Sequence, residues 1–411
     1  MARQAADADA DSSEAAALAR AVGKACAHTQ ATGLAFMSHT WKRAAVFEWL
    51  HFMSTRVNPR ASCDAWSHLL EMKMLTKGAF SIVFSGKWRM PSASVPAACH
   101  TKDVLVVTHT SMEADPCTDV AVSARLAHIL NAVVLTGTLP HFPLTYMVCA
   151  EQYQTHRKLC TEVAVMEPAG IPWYRAFNTK LHASAAAQLA MVLVLFARCG
   201  LVHNDLHGGN VLVMPRQEPR VLRYVVADNT VVVVRATHFV SVIDYGQMIV
   251  MPHSNVTGPT MRIHGGVPVR PETGATFWTE DRYSMYQRAM PERVRDMAFF
   301  LQQFVPRKLS QSVVARLEAS TATFDTAAEL VGVCRTMAAH EPSGAVQVVP
   351  VVPNADAWLA QLGADAKEDV FDLRLSGAQL HRRIRPFMVA HYANHPSAAI
   401  RKDMAEHSRF V

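Results

Sequence analysis

The run ASAAAQLAMVLVLFARC, residues 183–199, is followed almost at once by HNDLHGGN, residues 203–210. That succession constrains the fold more than any other feature. A helix apolar all round belongs either in a protein core or in a bilayer. This one is short for a membrane span, carries Gln188, and runs straight into a polar loop, so the sequence predicts a buried helix. Burying it needs a large domain. The chain has 411 residues, half of them apolar, enough for one large domain or two moderate ones with a sizeable core.

The texture upstream is strand-like. KMLTKGAFSIVFSGKWRM holds two alternating segments around a glycine-containing bend, and DVLVVTHT (103–110) is a further strand. ARLAHILNAVVL (124–135) has helical spacing, and TEVAVMEP (161–168) reads as a strand stopped by Pro168. Downstream of the loop come NVLVMP, then RYVVAD (223–228) and TVVVVRAT (230–237) around an Asp228-Asn229 turn, then FVSVID (239–244). Helices return from about 281 in DRYSMYQRAM, VRDMAFFLQQFV and SVVARLEAS, and 342–357 reads as a proline-marked connection or short strand. The expected organisation is a helical N-terminal extension (1–70), a strand-rich lobe (71–168) and a second, increasingly helical lobe (169–411). The acidic start lacks the order of a signal peptide.

Composition excludes several classes. The eight cysteines are scattered with no CxxC, so neither a zinc site nor a disulfide scaffold is indicated, and the thiols fit a reducing, intracellular setting. A net charge of +6 without a Lys/Arg tract gives no specific nucleic-acid signal. GxSxG, HExxH and dinucleotide GxGxxG motifs are absent.

The loop itself suggests chemistry. Asp205 and Asn210 stand five apart across Gly208-Gly209, with a helix leading in and a strand leading out. The aspartate can accept a proton from a hydroxyl, and the asparagine oxygen can ligate a hard cation such as magnesium. Asp244, in SVIDYGQ, ends an apolar strand beside Gly246 and supplies a second acid for a phosphate-bound metal. Upstream, LTKGAFSIVF (75–84) places Gly78 and Ser81 in a bend whose backbone can approach phosphates, with Phe80 at the tip and Val83 placed to cover an adenine.

In this order and spacing, HNDLHGGN followed by IDYG resembles the catalytic loop and metal-binding motif of the protein kinase superfamily. LTKGAFSIVF is similar to its glycine-rich loop, with Thr76 and Ser81 where the first and third glycines stand. Met166 and Glu167 resemble the entrance to the nucleotide hinge. The resemblance covers about 72–300. It implies an α+β bilobal fold, a small β-rich lobe and a larger helical one, with ATP and magnesium (manganese as a substitute) as cofactors and protein substrates phosphorylated on serine or threonine. It makes Asp205 the catalytic base, His203 the brace of the loop, and Asn210 and Asp244 the metal ligands. His207 replaces a customary lysine, as in haspin-type kinases and in small-molecule phosphotransferases with HxDLHxxN loops. DYG and the 223–237 hairpin resemble divergent kinases of large DNA viruses, which implies the host cytoplasm or nucleus. The family ends its activation segment near Pro271-Glu272 and anchors the next helix with an aspartate, Asp281 or Asp296. Thr257, Thr260 and Thr273 are candidate phosphorylation sites.

The family's phosphate-holding lysine in the third strand is missing: Val106, Val107 and Thr108 occupy its neighbourhood. Lys87 and Lys102 are the substitutes within reach. Its glutamate partner on the next helix is also missing, with only Glu113, Asp115 and Asp119 nearby. Losing one phosphate clamp costs several kcal/mol of transition-state stabilisation. The alternatives are therefore a pseudokinase scaffold or a small-molecule phosphotransferase.

Overall fold

A computed structural model describes residues 69–77, 81–89, 101–111, 127, 129–134, 136–152, 160–177, 182–245, 248–250, 261–262, 292–319, 325–341, 344–350, 368–380 and 382–384. Residues 1–68 of the expected N-terminal extension, the Gly78 bend with Phe80, Gly246, Glu113, Asp115, Asp119, Asp281, Pro271-Glu272 and the three candidate phosphorylation threonines lie outside these residues.

The chain forms a mixed α+β fold. Its first part is a five-stranded antiparallel sheet in the order β1-β2-β3-β5-β4: β1 (Leu69–Lys77), β2 (Ser81–Arg89), β3 (Thr101–Ser111), β4 (Thr145–Gln152) and β5 (Cys160–Met166). Valine-rich alternation explains the pleat. Val104, Val106, Val163 and Val165 are buried, and Phe84, paired with Val106, packs on the same core. Side chains alternate across a strand, so Val83, Ser85 and Lys87 lie on the other face. The helical residues 129–134 are tied to β4 by Asn131, whose amide donates to the Thr145 carbonyl at 2.8 Å while its Oδ1 accepts from the Thr145 amide at 2.9 Å.

After β5 come β6 (Ile171–Pro172) and a single-turn helix α1 (Trp173–Ala176), then α2 (Ala183–Cys199), whose bounds are those of the apolar run. Fourteen of its seventeen residues are buried. Its one buried polar side chain, Gln188, donates to the His238 carbonyl at 2.9 Å and accepts from the Val240 amide at 3.1 Å, which removes most of the cost of burying an amide. No helix among the described residues is long and apolar enough to cross a membrane.

β7 (Leu201–Val202) precedes the loop. Beyond it the structure differs from the reading of four short strands. They merge into two long ones, β8 (Val211–Ala227) and β9 (Thr230–Val242), joined at the expected Asp228-Asn229 turn. Prolines 215 and 219 do not break β8, because pairing with β9 is interrupted between Pro215 and Arg220, where a missing amide donor costs no ladder bond. β10 (Ile249–Val250) pairs with β7 and with β11 (Met261–Arg262).

Three helices follow: α3 (Glu292–Gln303), α4 (Arg307–Ala319) and α5 (Thr326–His340). The last was not foreseen. Asp325 caps it by accepting from the Ala328 amide at 3.0 Å. β12 (Val346–Val349) adds to β9, and β13 (Glu368–Asp372) adds to β8 in parallel, giving the order β12-β9-β8-β13 with β6 also on β8. The second part thus carries a substantial sheet as well as helices. One contiguous core joins the first sheet, α2, the long hairpin, α3 and α5.

Buried His141 ties the 136–144 segment to the hairpin. Its Nδ1–H donates to the Val240 carbonyl at 2.7 Å and its Nε2 accepts from the Tyr224 hydroxyl at 2.7 Å. Burial pushes this imidazole down to about 4, so it is held neutral.

Candidate active site

The loop 203–210 leaves β7 and enters β8, so its ends are set by the core. Asn204 and Asp244 both adopt left-handed backbone, φ 65° each, a conformation that Asn and Asp enter more readily than other non-glycine residues. Asn204 is held from α3. The buried Asp296 carboxylate accepts the amides of His203 and Asn204, the latter at 2.8 Å, and Arg295 donates to the Asn204 side-chain oxygen. Of Asp281 and Asp296, Asp296 alone lies among the described residues, and it makes these two bonds.

His203 is fully buried. Its Nε2–H donates to the Ile243 carbonyl at 2.9 Å, which links the loop to the residue before Asp244. Its Nδ1 is buried and has no hydrogen-bond partner among the described residues. The Ile243 amide in turn donates to the Asn210 carbonyl at 3.0 Å. Asp205, Asn210 and Asp244 are thereby held by one lattice of bonds.

Asn210 is buried, and its amide donates to the Asp205 carbonyl at 2.9 Å and to Asp205 Oδ2 at 3.1 Å. This spends its N–H groups and leaves its Oδ1 for other work. The Asp205 carboxyl is pushed up to about 7. Burial is the main cause, the nearby Asp244 charge the next, and the Asn210 bond opposes both. Asp244 is exposed.

His207 is folded back on the loop. The Gly209 amide donates to its Nδ1 at 3.0 Å, so the proton of the neutral ring sits on Nε2, 3.8 Å from Asp205 Oδ2. Burial holds this imidazole below its ordinary value, so it is a neutral neighbour of Asp205 rather than an ion-pair partner. A Cβ at Gly209 would lie 2.6 Å from the His207 ring, so a larger residue there would displace the ring.

The residues expected to hold nucleotide are distributed differently. Lys87 pairs with Glu71 of β1 at 2.8 Å on the exposed face of the first sheet, and the carboxylate raises its pKa. Val83 is half-buried on that same face. Thr76 lies opposite Val83, Ser81 opposite His109, and Lys102 opposite Trp88 in the ladders; their side chains lie outside the described residues. Thr108 donates to the Ile82 carbonyl at 3.3 Å. Met166 is half-buried at the end of β5. Glu167 folds back, its amide donating to the Leu144 carbonyl at 2.8 Å and its carboxylate accepting the Leu144 amide at 3.3 Å.

Three contributors were not singled out from sequence. Arg295 holds Asn204, Gln303 accepts the Gly208 amide at 3.0 Å, and the Tyr174 ring lies along Gly208 and Gly209. For Arg295 and Gln303 the sequence signal is the spacing of polar residues within RDMAFFLQQ; Tyr174, in the single-turn helix α1, carries none.

The donors suit a hard divalent cation. Magnesium takes one or two protein oxygens and completes its shell with phosphates and water. Asn210 Oδ1 and the exposed Asp244 carboxylate supply such oxygens, and the mutual repulsion of Asp205 and Asp244 is relieved by positive charge. Among the described residues there is no cluster of three or more His, Cys, Asp or Glu side chains suited to a metal. No protein-family model matches the chain, and no curated protein matches it.

Proposed function

We propose that this chain is a serine/threonine protein kinase, a bilobal, intracellular, ATP- and magnesium-dependent enzyme of the divergent type encoded by large DNA viruses. One observation carries the reading: Asp205 is clamped by Asn210 within a loop anchored from behind by Asp296 and bonded through His203 to the strand end bearing Asp244. The first sheet's order, with a helix before β4, agrees with it.

In this reading Asp205 orients the acceptor hydroxyl and takes its proton. Asn210 occupies Oδ2, which leaves Oδ1 as the receiving oxygen. A base must be ionised, and burial together with the Asp244 charge, only partly opposed by the Asn210 bond, would leave Asp205 half-protonated near neutrality. Bound magnesium–ATP supplies the phosphoryl group and the positive charge that offsets Asp244. Asn210 Oδ1 and Asp244 would hold that ion, while His207 stays neutral beside the reacting carboxylate.

The position of Lys87, engaged with Glu71, together with Thr108 on the core-facing side of β3, favours a pseudokinase as the second reading. Transfer of labelled γ-phosphate from ATP, with magnesium or manganese, to protein and metabolite acceptors decides between them. Transfer to protein that disappears in Asp205→Asn supports the kinase. Nucleotide binding without transfer supports the pseudokinase, and transfer confined to metabolites refutes protein substrates.

A further inference from the structure

We propose that Gln303 is a positioning residue for Asp205, and that α3 serves as a two-point ruler for the whole loop. The inference rests on the phosphotransfer reading for its catalytic consequence, but its geometry stands independently.

Asp296 and Gln303 are seven residues apart on α3, two helical turns, so they share one face about 10 Å apart. Each grips the same loop. Asp296 takes the amides of residues 203 and 204, and Gln303 takes the amide of Gly208. Asp205 lies between the two grips. Beyond Asp205 the loop is next tied down at Asn210, whose carbonyl accepts the Ile243 amide, so without the Gln303 bond the intervening 206–209 stretch is left with contacts within the loop and against α1. A displacement of about 1 Å in a reacting group costs up to about a hundredfold in rate.

The packing around the second grip is built to match. Phe300, one turn before Gln303, is fully buried and stacks on Phe304 at 6.3 Å. Phe304 meets the Trp173 ring edge-on at 4.9 Å. A Cβ added at Gly208 would lie 3.9 Å from the Trp173 Cβ and 3.8 Å from the Tyr174 ring. The far end of the loop is therefore seated between α1 and Gln303. The Gln303 bond is exposed, so it adds little to global stability and its effect is local.

The test uses the full chain with Gln303→Leu, which removes the acceptor at similar size, and Gln303→Glu, which restores an acceptor oxygen. Hydrogen–deuterium exchange over the loop reads the grip, and phosphoryl transfer reads its consequence. In Gln303→Leu, exchange across 206–210 should accelerate about tenfold, and kcat should fall about tenfold or more, with the KM for ATP within about twofold and Tm unchanged. Gln303→Glu should recover most of both. Unchanged exchange in Gln303→Leu overturns the grip. Faster exchange with unchanged kcat overturns the positioning role. Faster exchange in a chain whose wild type transfers no phosphate supports the grip and refutes the phosphotransfer reading instead.

Discussion

Replacing Asp205 with asparagine should abolish phosphotransfer and, at the same time, stabilise the metal-free protein. The second effect follows from the carboxyl's position. Its pKa rises from 3.8 to about 7, and each pH unit corresponds to about 1.4 kcal/mol, so ionising it in the fold costs about 4 kcal/mol. Its side chain is 27% exposed, and residual solvent screening reduces the observable cost to about 2–4 kcal/mol. A raised acid pKa means that the folded state binds more protons than the unfolded chain between pH 3.8 and 7. Stability is therefore full below pH 3.8 and is lost as pH rises towards 7. Asparagine carries no charge, and its oxygen can still accept the Asn210 amide. Urea denaturation of wild type and Asp205→Asn without metal, at pH 4, 6 and 8, measures the difference. The two should coincide near pH 4, and the variant should lead by about 2–4 kcal/mol at pH 8. Parallel pH profiles, or a variant less stable at pH 8, would refute the electrostatic account of the site.

His141 predicts an acid limb of the opposite sign: held neutral down to about pH 4 against 6.5 unfolded, it withdraws about 3 kcal/mol as pH falls through that window. His141→Gln should flatten that limb in the same denaturation series. Gly209→Ala should cost tenfold or more in transfer with little change in Tm, because the new Cβ displaces the His207 ring rather than the core; full activity would show the ring's placement to be incidental. Gly170→Ala should cost about 3 kcal/mol or more and reduce soluble yield, since φ is +100° and a Cβ would lie 2.2 Å from the Val213 carbonyl oxygen. A normal Tm for that variant would contradict the described path of the chain into β6.

What sequence disclosed depended on whether the signal was local. The limits of α2 were legible because its apolar run is bounded by His182 and Gly200, and the Asp228-Asn229 turn because turn residues act within four positions. The loop's chemistry was legible through residue types at fixed spacing. The parallel pairing of 368–372 with 221–225 leaves no local trace, and neither does the reach of Asp296 from α3 back to the amides of residues 203 and 204. Prolines 215 and 219 argued for a break that a pairing irregularity absorbs. α5 had a usable signature, an Asp325 cap ahead of apolar residues 327, 330, 331, 334 and 337, and could have been found.

The parallel seating of β13 on β8 has a consequence for the order in which the molecule comes together. Residues 221–225 emerge from the ribosome about 150 residues before their partners at 368–372, and closing so long a loop is slow compared with forming the β8–β9 hairpin. During that interval the VLRYV edge of β8 is a bare template of backbone donors and acceptors, flanked by apolar side chains, of the kind that recruits foreign strands. The last stretch of sheet therefore works as a cover as well as a support. A chain truncated before residue 368 would keep every residue of the loop and still tend to associate with itself.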